Sequence, residues 1–368
     1  MTSYMERAIN VAAANLEEPQ ESLPPRFSYR MVGDLVHNLQ PIDWLVKDYL
    51  EADTLAVFYG QPGHGKSFVA IDIACSIATG SAWHGHKVKA GPVFYIAGEG
   101  HNGLGRRFSA WSLARGVDLS GAPLAVSTAS APLADGSGAL EVQAACQALE
   151  ESIGPPALIV VDTLARNFGG DENSTQDMTT FIQNLDRIRQ RYNATVLVVH
   201  HTGKQTDRGA RGSGALKAGA DAEYLVSKDS AGMVLMDSQK MKDAPPPGQA
   251  AFKLAAVKLM VAEEDGSPVM SCCPALVPGY EPVKPSPSKP RGGNQAKALK
   301  TLERMTAEYR QRLEDGGQDP DGAKVEVRHW REEAGLARQR WNEVVPKLED
   351  AGRVRIDGKF AYLMEVDQ

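Results

Sequence analysis

The stretch GQPGHGKS, Gly60 to Ser67, constrains this chain more than any other. It directly follows an apolar run, TLAVFY, and opens a helical pattern, KSFVAIDIACSIATG, that stops at Gly80. G-x-x-x-x-G-K-[ST] between a strand and a helix is a loop whose backbone N–H groups curl round an anion, because its glycines carry no Cβ to clash. The helix N-terminus adds positive dipole, Lys66 is expected to reach β- and γ-phosphates, and the Ser67 hydroxyl to ligate Mg²⁺. Gly60, Gln61, Pro62, Gly63, His64, Gly65, Lys66, Ser67 and Phe68 are therefore assigned to nucleotide binding, with ATP and Mg²⁺ as the expected cofactors.

Further apolar runs follow at short intervals: PVFYIA, ALIVV and TVLVV. Helical patterns separate them, NGLGRRFSAWSLARG, EVQAACQALEES and the amphipathic TTFIQNLDRIRQRY. Continuous Val/Ile/Leu runs alternating with helices predict an α/β fold, a mostly parallel twisted sheet with helices on both faces. After Ala220 the texture changes to shorter segments, AEYLVSKD, MVLMDSQKM and QAAFKLAAVKL, expected to extend the sheet as antiparallel strands around a DAPPPGQ turn.

Four residues beside the loop are candidates for chemistry. Asp162 ends the buried run ALIVV, where a carboxylate is costly unless it meets a cation or a donor; beside a P-loop it is the expected Walker-B aspartate on Mg²⁺. Glu99 stands two residues past PVFYIA, at the carboxyl edge of the sheet where ligands bind, and suits a base that orients and deprotonates water. His200 and His201 close the run TVLVV. Neighbours on a strand point to opposite faces, so the two cannot share one task, and no third ligand has metal-site spacing.

Together, the P-loop, the glutamate in YIAGEG, the aspartate after LIVV and the polar pair in VVHHTGK resemble the RecA-like ATPase core. Within it the chain is most similar to RepA-like and DnaB-like hexameric replicative helicases and their phage and plasmid relatives, over roughly residues 40–260. The resemblance implies an ATP-driven helicase that works as a homohexameric ring on single-stranded DNA, with replication partners such as a primase or an initiator. It implies that His201 senses the γ-phosphate. It also implies basic fingers donated in trans, here Lys240 and Lys242 in SQKMKD, with lysine where arginine is common at the second place. The loops after the third and fourth strands would line the pore. The second, GKQTDRGARGSG, offers Lys204, Arg208 and Arg211 to a phosphate backbone, whereas the first is more acidic than basic. Two other readings stand beside the helicase: a recombinase-like or mediator ATPase, and an ATP-gated DNA-binding regulator.

That regulator reading comes from the C-terminal part. The expected organisation is an arm over 1–40, the ATPase core over 41–276, a Pro/Ser/Gly-rich linker over 277–293, and a winged helix-turn-helix over 294–368. In the last, helix, helix-turn-helix and an Asp357-Gly358 hairpin follow in order. A helix-turn-helix puts the start of its second helix in the major groove, which points to Arg338, Arg340 and Trp341, with Arg353, Arg355 and Lys359 on the wing. The segment holds 14 basic against 15 acidic residues, so protein docking competes with DNA contact. The whole chain has net charge −6, which excludes a globally basic nucleic-acid binder. Four cysteines without CxxC spacing and no apolar run of membrane-spanning length predict reduced thiols, a cytoplasmic location and no membrane partner.

Overall fold

The computed structural model describes residues 29–98, 100–201, 214–283 and 293–364. The chain divides into two units, one up to Asp43 and one from Trp44 onward. In the first, a helix spans Val32–His37, with none of its residues buried and the Asn38 N–H closing it on the Asp34 carbonyl.

The second unit holds the sheet. β1 (Trp44–Val46) and β2 (Leu50–Glu51) form a small hairpin of their own. The strands that follow are β3 (Leu55–Gly60), β4 (Val93–Ala97), β5 (Leu124–Val126), β6 (Leu158–Asp162) and β7 (Thr195–His201). After them come β8 (Ala222–Lys228), β9 (Val234–Met241), β10 (Ala250–Ala262) and β11 (Pro268–Leu276). Their order is β11-β10-β9-β8-β3-β7-β6-β4-β5. Pairing is parallel from β8 through to β5 and antiparallel from β8 out to β11, so AEYLVSK, expected to join as an antiparallel strand, pairs parallel with β3 and only its other edge is antiparallel. β7 lies between the strand that feeds the P-loop and the strand that ends at Asp162. This is the RecA-like P-loop arrangement, with an antiparallel extension.

The uninterrupted apolar runs are explained by two cores, one on each face. Ala56 and Phe58, Tyr95, Val160 and Val199 pack with Val69, Ile73 and Ile77 of the helix Lys66–Thr79, and with Leu104 and Trp111 of the helix His101–Arg115. Their strand neighbours Val57, Ile96, Val161 and Val198 point the other way. They meet Val142 of the helix Gly136–Ile153 and Met178, Phe181 and Leu185 of the helix Thr175–Tyr192. That last helix starts where the Ser174 hydroxyl accepts the Asp177 N–H at 3.2 Å and stops at Asn193 in the left-handed region.

Of the expected linker over 277–293, residues 277–283 are docked on the sheet, and 284–292 lie outside the described residues. Val277 and Tyr280 pack on Met233, Leu235 and Ala251, and the Tyr280 hydroxyl donates to Asp229 at 2.5 Å. One aliphatic and one aromatic side chain are enough to dock residues 277–283 despite their prolines and glycines.

Toward the C-terminus a helix, Gly293–Asp315, is followed by β12 (Val325–Glu326), helices Val327–Ala334 and Arg338–Asp350, β13 (Val354–Asp357) and β14 (Phe360–Leu363). The three strands form an antiparallel sheet in the order β12-β14-β13 over a core of Leu302, Trp330, Val344, Leu348 and Val354. Two expectations are corrected here. Trp341 is not at a DNA-reading surface: it is 6% exposed and packs edge-on to Trp330 at 4.6 Å. Arg353 does not decorate the wing, since its side chain is 17% exposed and lies 3.7 Å from Glu303. In both cases the side chain buries a large apolar body that position in a helix or hairpin cannot reveal.

Candidate nucleotide site

The loop after β3 takes its shape from its glycines. At Gly60, with φ +152°, a Cβ would run into the Val226 carbonyl oxygen of β8. Gly63 and Gly65 are both left-handed, and a Cβ on Gly65 would lie 2.8 Å from the Val234 side chain of β9. The loop is thus held close against the antiparallel extension as well as the parallel core.

Lys66 is buried and donates to the carbonyls of Gly60 and Gln61, each at 2.8 Å. Burial pulls its ammonium down to about 8, opposed by the nearby Asp162 carboxylate. His64 on the same loop is also held below its ordinary value, first by burial and then by the Lys66 charge. Both shifts have one origin: positive charge is costly here until an anion arrives.

Asp162 receives the Ser67 hydroxyl on Oδ1 at 3.1 Å and the Tyr95 hydroxyl on Oδ2 at 2.5 Å. Burial, and then the Asp162 charge, pushes the Tyr95 phenol well above its usual range, so it stays protonated as a donor. A serine hydroxyl beside a carboxylate oxygen is a hard-oxygen pair that suits Mg²⁺, with phosphate oxygens and water completing the shell. Among the described residues no group of three or more His, Cys, Asp or Glu side chains could hold a metal ion.

These groups open onto a cavity of about 430 Å³ walled by the loop, Asp162, His201, Gly100, Arg107 and Leu254. His201 shares the face of the P-loop helix, whereas His200, 1% exposed, lies on the opposite face of β7. Glu99 lies outside the described residues. Its neighbours border the site: the Gly98 N–H donates to the Asp162 carbonyl at 2.7 Å, and Gly100 walls the cavity.

Two residues that the sequence reading passed over belong here. Tyr95 alternates in VFYIA onto the P-loop face, a signal that period-two reading makes visible. Arg107, two turns into the helix His101–Arg115, has its guanidinium carbon 5.0 Å from the Phe68 ring centroid and brings a second cation to the cavity. Nothing in its sequence context distinguishes it from the adjacent Arg106.

Beneath the cavity, Asp72 joins the two helices that wall it. This fully buried carboxylate accepts from Trp83 Nε1 (2.9 Å), His84 Nε2 (2.7 Å), Trp111 Nε1 (2.7 Å) and Arg115 (3.0 Å). Asp72 rides on the P-loop helix, while Trp111 and Arg115 ride on the helix that begins beside Glu99.

The other candidates lie elsewhere. The Lys240 ammonium donates to the carbonyls of Lys217, Ala218 and Ala220 at 3.0, 3.2 and 2.6 Å, closing the C-terminal end of the helix Gly214–Gly219. Lys242 reaches Asp221 at 3.3 Å with its side chain 62% exposed. Lys204, Arg208 and Arg211 lie outside the described residues. Arg338 and Arg340 are exposed at the start of their helix, and Arg340 pairs with Glu343 at 3.1 Å. No described helix is long and apolar enough to cross a membrane.

Among solved structures, the chain is similar to one ATPase domain at 13% identity and a TM-score of 0.42, over 55% of this chain and 81% of that one. No curated protein sequence matches it. The family model described as the AAA domain matches residues 18–207, more than half of the chain and the whole span from the loop to β7. The chain therefore belongs to the AAA domain family and is a P-loop ATPase.

Proposed function

We propose that this ATPase is a DNA helicase of RepA-like and DnaB-like type, a ring of identical subunits translocating on single-stranded DNA. One observation carries the reading. His201 walls the phosphate cavity and is also the last residue before the segment that bears Lys204, Arg208 and Arg211. A change at the γ-phosphate that His201 senses is therefore three residues from Lys204, the first cation of a segment suited to a phosphate backbone.

The chain's own residues supply the following roles. Backbone N–H groups from Gly63 to Ser67 and the Lys66 ammonium hold phosphates, with Lys66 leaving the Gly60 and Gln61 carbonyls for the anion. Ser67 and Asp162 would hold Mg²⁺, and Tyr95 fixes the orientation of the Asp162 carboxylate. A metal ion held there would supply charge neutralisation for the phosphates. Glu99 takes the proton of the attacking water, and Arg107 adds positive charge from the same subunit. Of the two finger candidates, exposed Lys242 is able to reach a neighbour, whereas Lys240 secures the helix that returns the basic loop to β8. The C-terminal segment is proposed as a winged helix-turn-helix.

The test is the ATPase rate with and without single-stranded DNA, together with solution mass in ATP. Stimulation by single strands and a multi-subunit mass are expected. Lys66→Ala should lose nucleotide binding, and Glu99→Gln should bind ATP without turnover. An ATPase indifferent to single-stranded DNA overturns the helicase reading, and normal turnover by Glu99→Gln overturns the choice of base.

A further inference from the structure

The C-terminal sheet has a second face that its own core does not use. Ala361 of β14 points inward with Val325 and Ile356 on the flanking strands, so Phe360 and Tyr362 project from the other side. Cross-strand register sets Tyr362 beside Arg355, and Phe360 between Glu326 and Asp357. Three exposed cations lie over these half-buried rings: Arg355 at 4.9 Å from the Tyr362 centroid, and Lys359 and Lys324 at 5.2 and 5.8 Å from that of Phe360. Lys359 also meets Glu326 at 3.2 Å.

We infer that this face binds single-stranded nucleic acid. Bases stack on Phe360 and Tyr362, while Lys324, Arg355 and Lys359 take phosphates. An exposed cation over a half-buried ring is held less strongly than a base stacked on one, so an incoming strand displaces the cations from the rings and keeps them within reach of its backbone. Paired bases are already stacked on one another, which makes duplex a poor ligand for two rings on a sheet. The helix Arg338–Asp350 offers less: Arg338, Arg340 and Lys347 are matched by Glu343, Glu349 and Asp350, and Arg340 is tied to Glu343. The inference rests on the reading that this protein acts on single-stranded DNA, and puts a contact on that strand outside the ring loops.

Fluorescence anisotropy of the full chain with labelled oligo(dT), and with a duplex of equal length, at several salt concentrations tests it. Wild type should prefer the single strand. Phe360→Ala/Tyr362→Ala should weaken that binding by at least about tenfold, from two lost stacking partners. The exposed triple variant Lys324→Ala/Arg355→Ala/Lys359→Ala keeps the fold, and should flatten the log–log salt slope by about 2, at roughly 0.7 per phosphate contact on a single strand. Unchanged affinity and slope in the triple variant, with ATPase still stimulated by single strands, overturns this inference and leaves the helicase reading intact. Absence of oligo(dT) binding by wild type removes both. Loss of binding in Arg338→Ala/Arg340→Ala alone moves the contact to the helix and overturns the sheet assignment.

Discussion

Replacing Asp72 with alanine removes the shared acceptor of four hydrogen-bond donors at once. The Trp83 and Trp111 indoles are each 1% exposed and cannot recover a water molecule in exchange, so each costs about 1–3 kcal/mol as an orphaned donor. Arg115 keeps the Pro274 carbonyl at 3.2 Å and is 30% exposed, which softens its loss, but its guanidinium, a donor only, offers the His84 Nε2–H no replacement acceptor. Breaking one partner of a buried charge pair costs about 3–5 kcal/mol, and we expect Asp72→Ala to lose a similar amount. That is a large share of the roughly 5–15 kcal/mol that holds a domain folded. Asp72→Asn retains one acceptor oxygen and turns an N–H₂ toward two of the donors, so it should lose at least half as much. Urea unfolding monitored by tryptophan fluorescence reads both variants. Because Asp72 couples the P-loop helix to the helix bearing Arg107, the KM for ATP should rise under conditions where each variant is still folded. An Asp72→Ala protein within about 1 kcal/mol of wild type would refute the reasoning.

Two further outcomes follow from the loop. Lys66, with its pKa near 8 rather than 10.5, sheds its proton as pH rises through 8, and bound phosphate restores it. ATP affinity should therefore fall toward tenfold per pH unit above pH 8, measured with a fluorescent analogue; a flat profile from about pH 7 to about pH 9.5 would exclude a lowered lysine. Gly60→Ala drives a methyl group into the Val226 carbonyl and shifts the oxygen that Lys66 holds, so nucleotide binding should be lost. Gly63→Ala meets no atom within 4 Å and should cost only the left-handed strain of about 1 kcal/mol, a difference that nucleotide titration and thermal melting of the pair will show.

The parallel core was legible where it is buried on both faces: β3, β4, β6 and β7 each carry an uninterrupted apolar run, and the loop motif fixed which end carries phosphate, whereas β5, three half-buried residues, gave no such run. Opposite facing of His200 and His201 could be argued from period two alone. β12 could not, since two residues carry no period. Burial of Trp341 was hidden because a tryptophan beside two arginines looks like a surface feature until Trp330 closes over it. Arg107 and Leu254 reach the cavity only through tertiary packing, as does the Lys240 contact with the helix Gly214–Gly219. The Asp72 cluster draws on residues up to 43 positions apart, and no local pattern in DIACSIAT announces it.

The absent Cβ of Gly65 has a consequence for how such proteins diverge. It is Val234 of the antiparallel extension, not the parallel core, that denies the space, with the Leu254 side chain 3.7 Å away. The phosphate loop and the strands added after β8 therefore cannot be exchanged as independent cassettes. A graft of this core onto another extension inherits a steric condition at the equivalents of positions 234 and 254, and bulk gained there closes the nucleotide site while every residue of the motif stays in place.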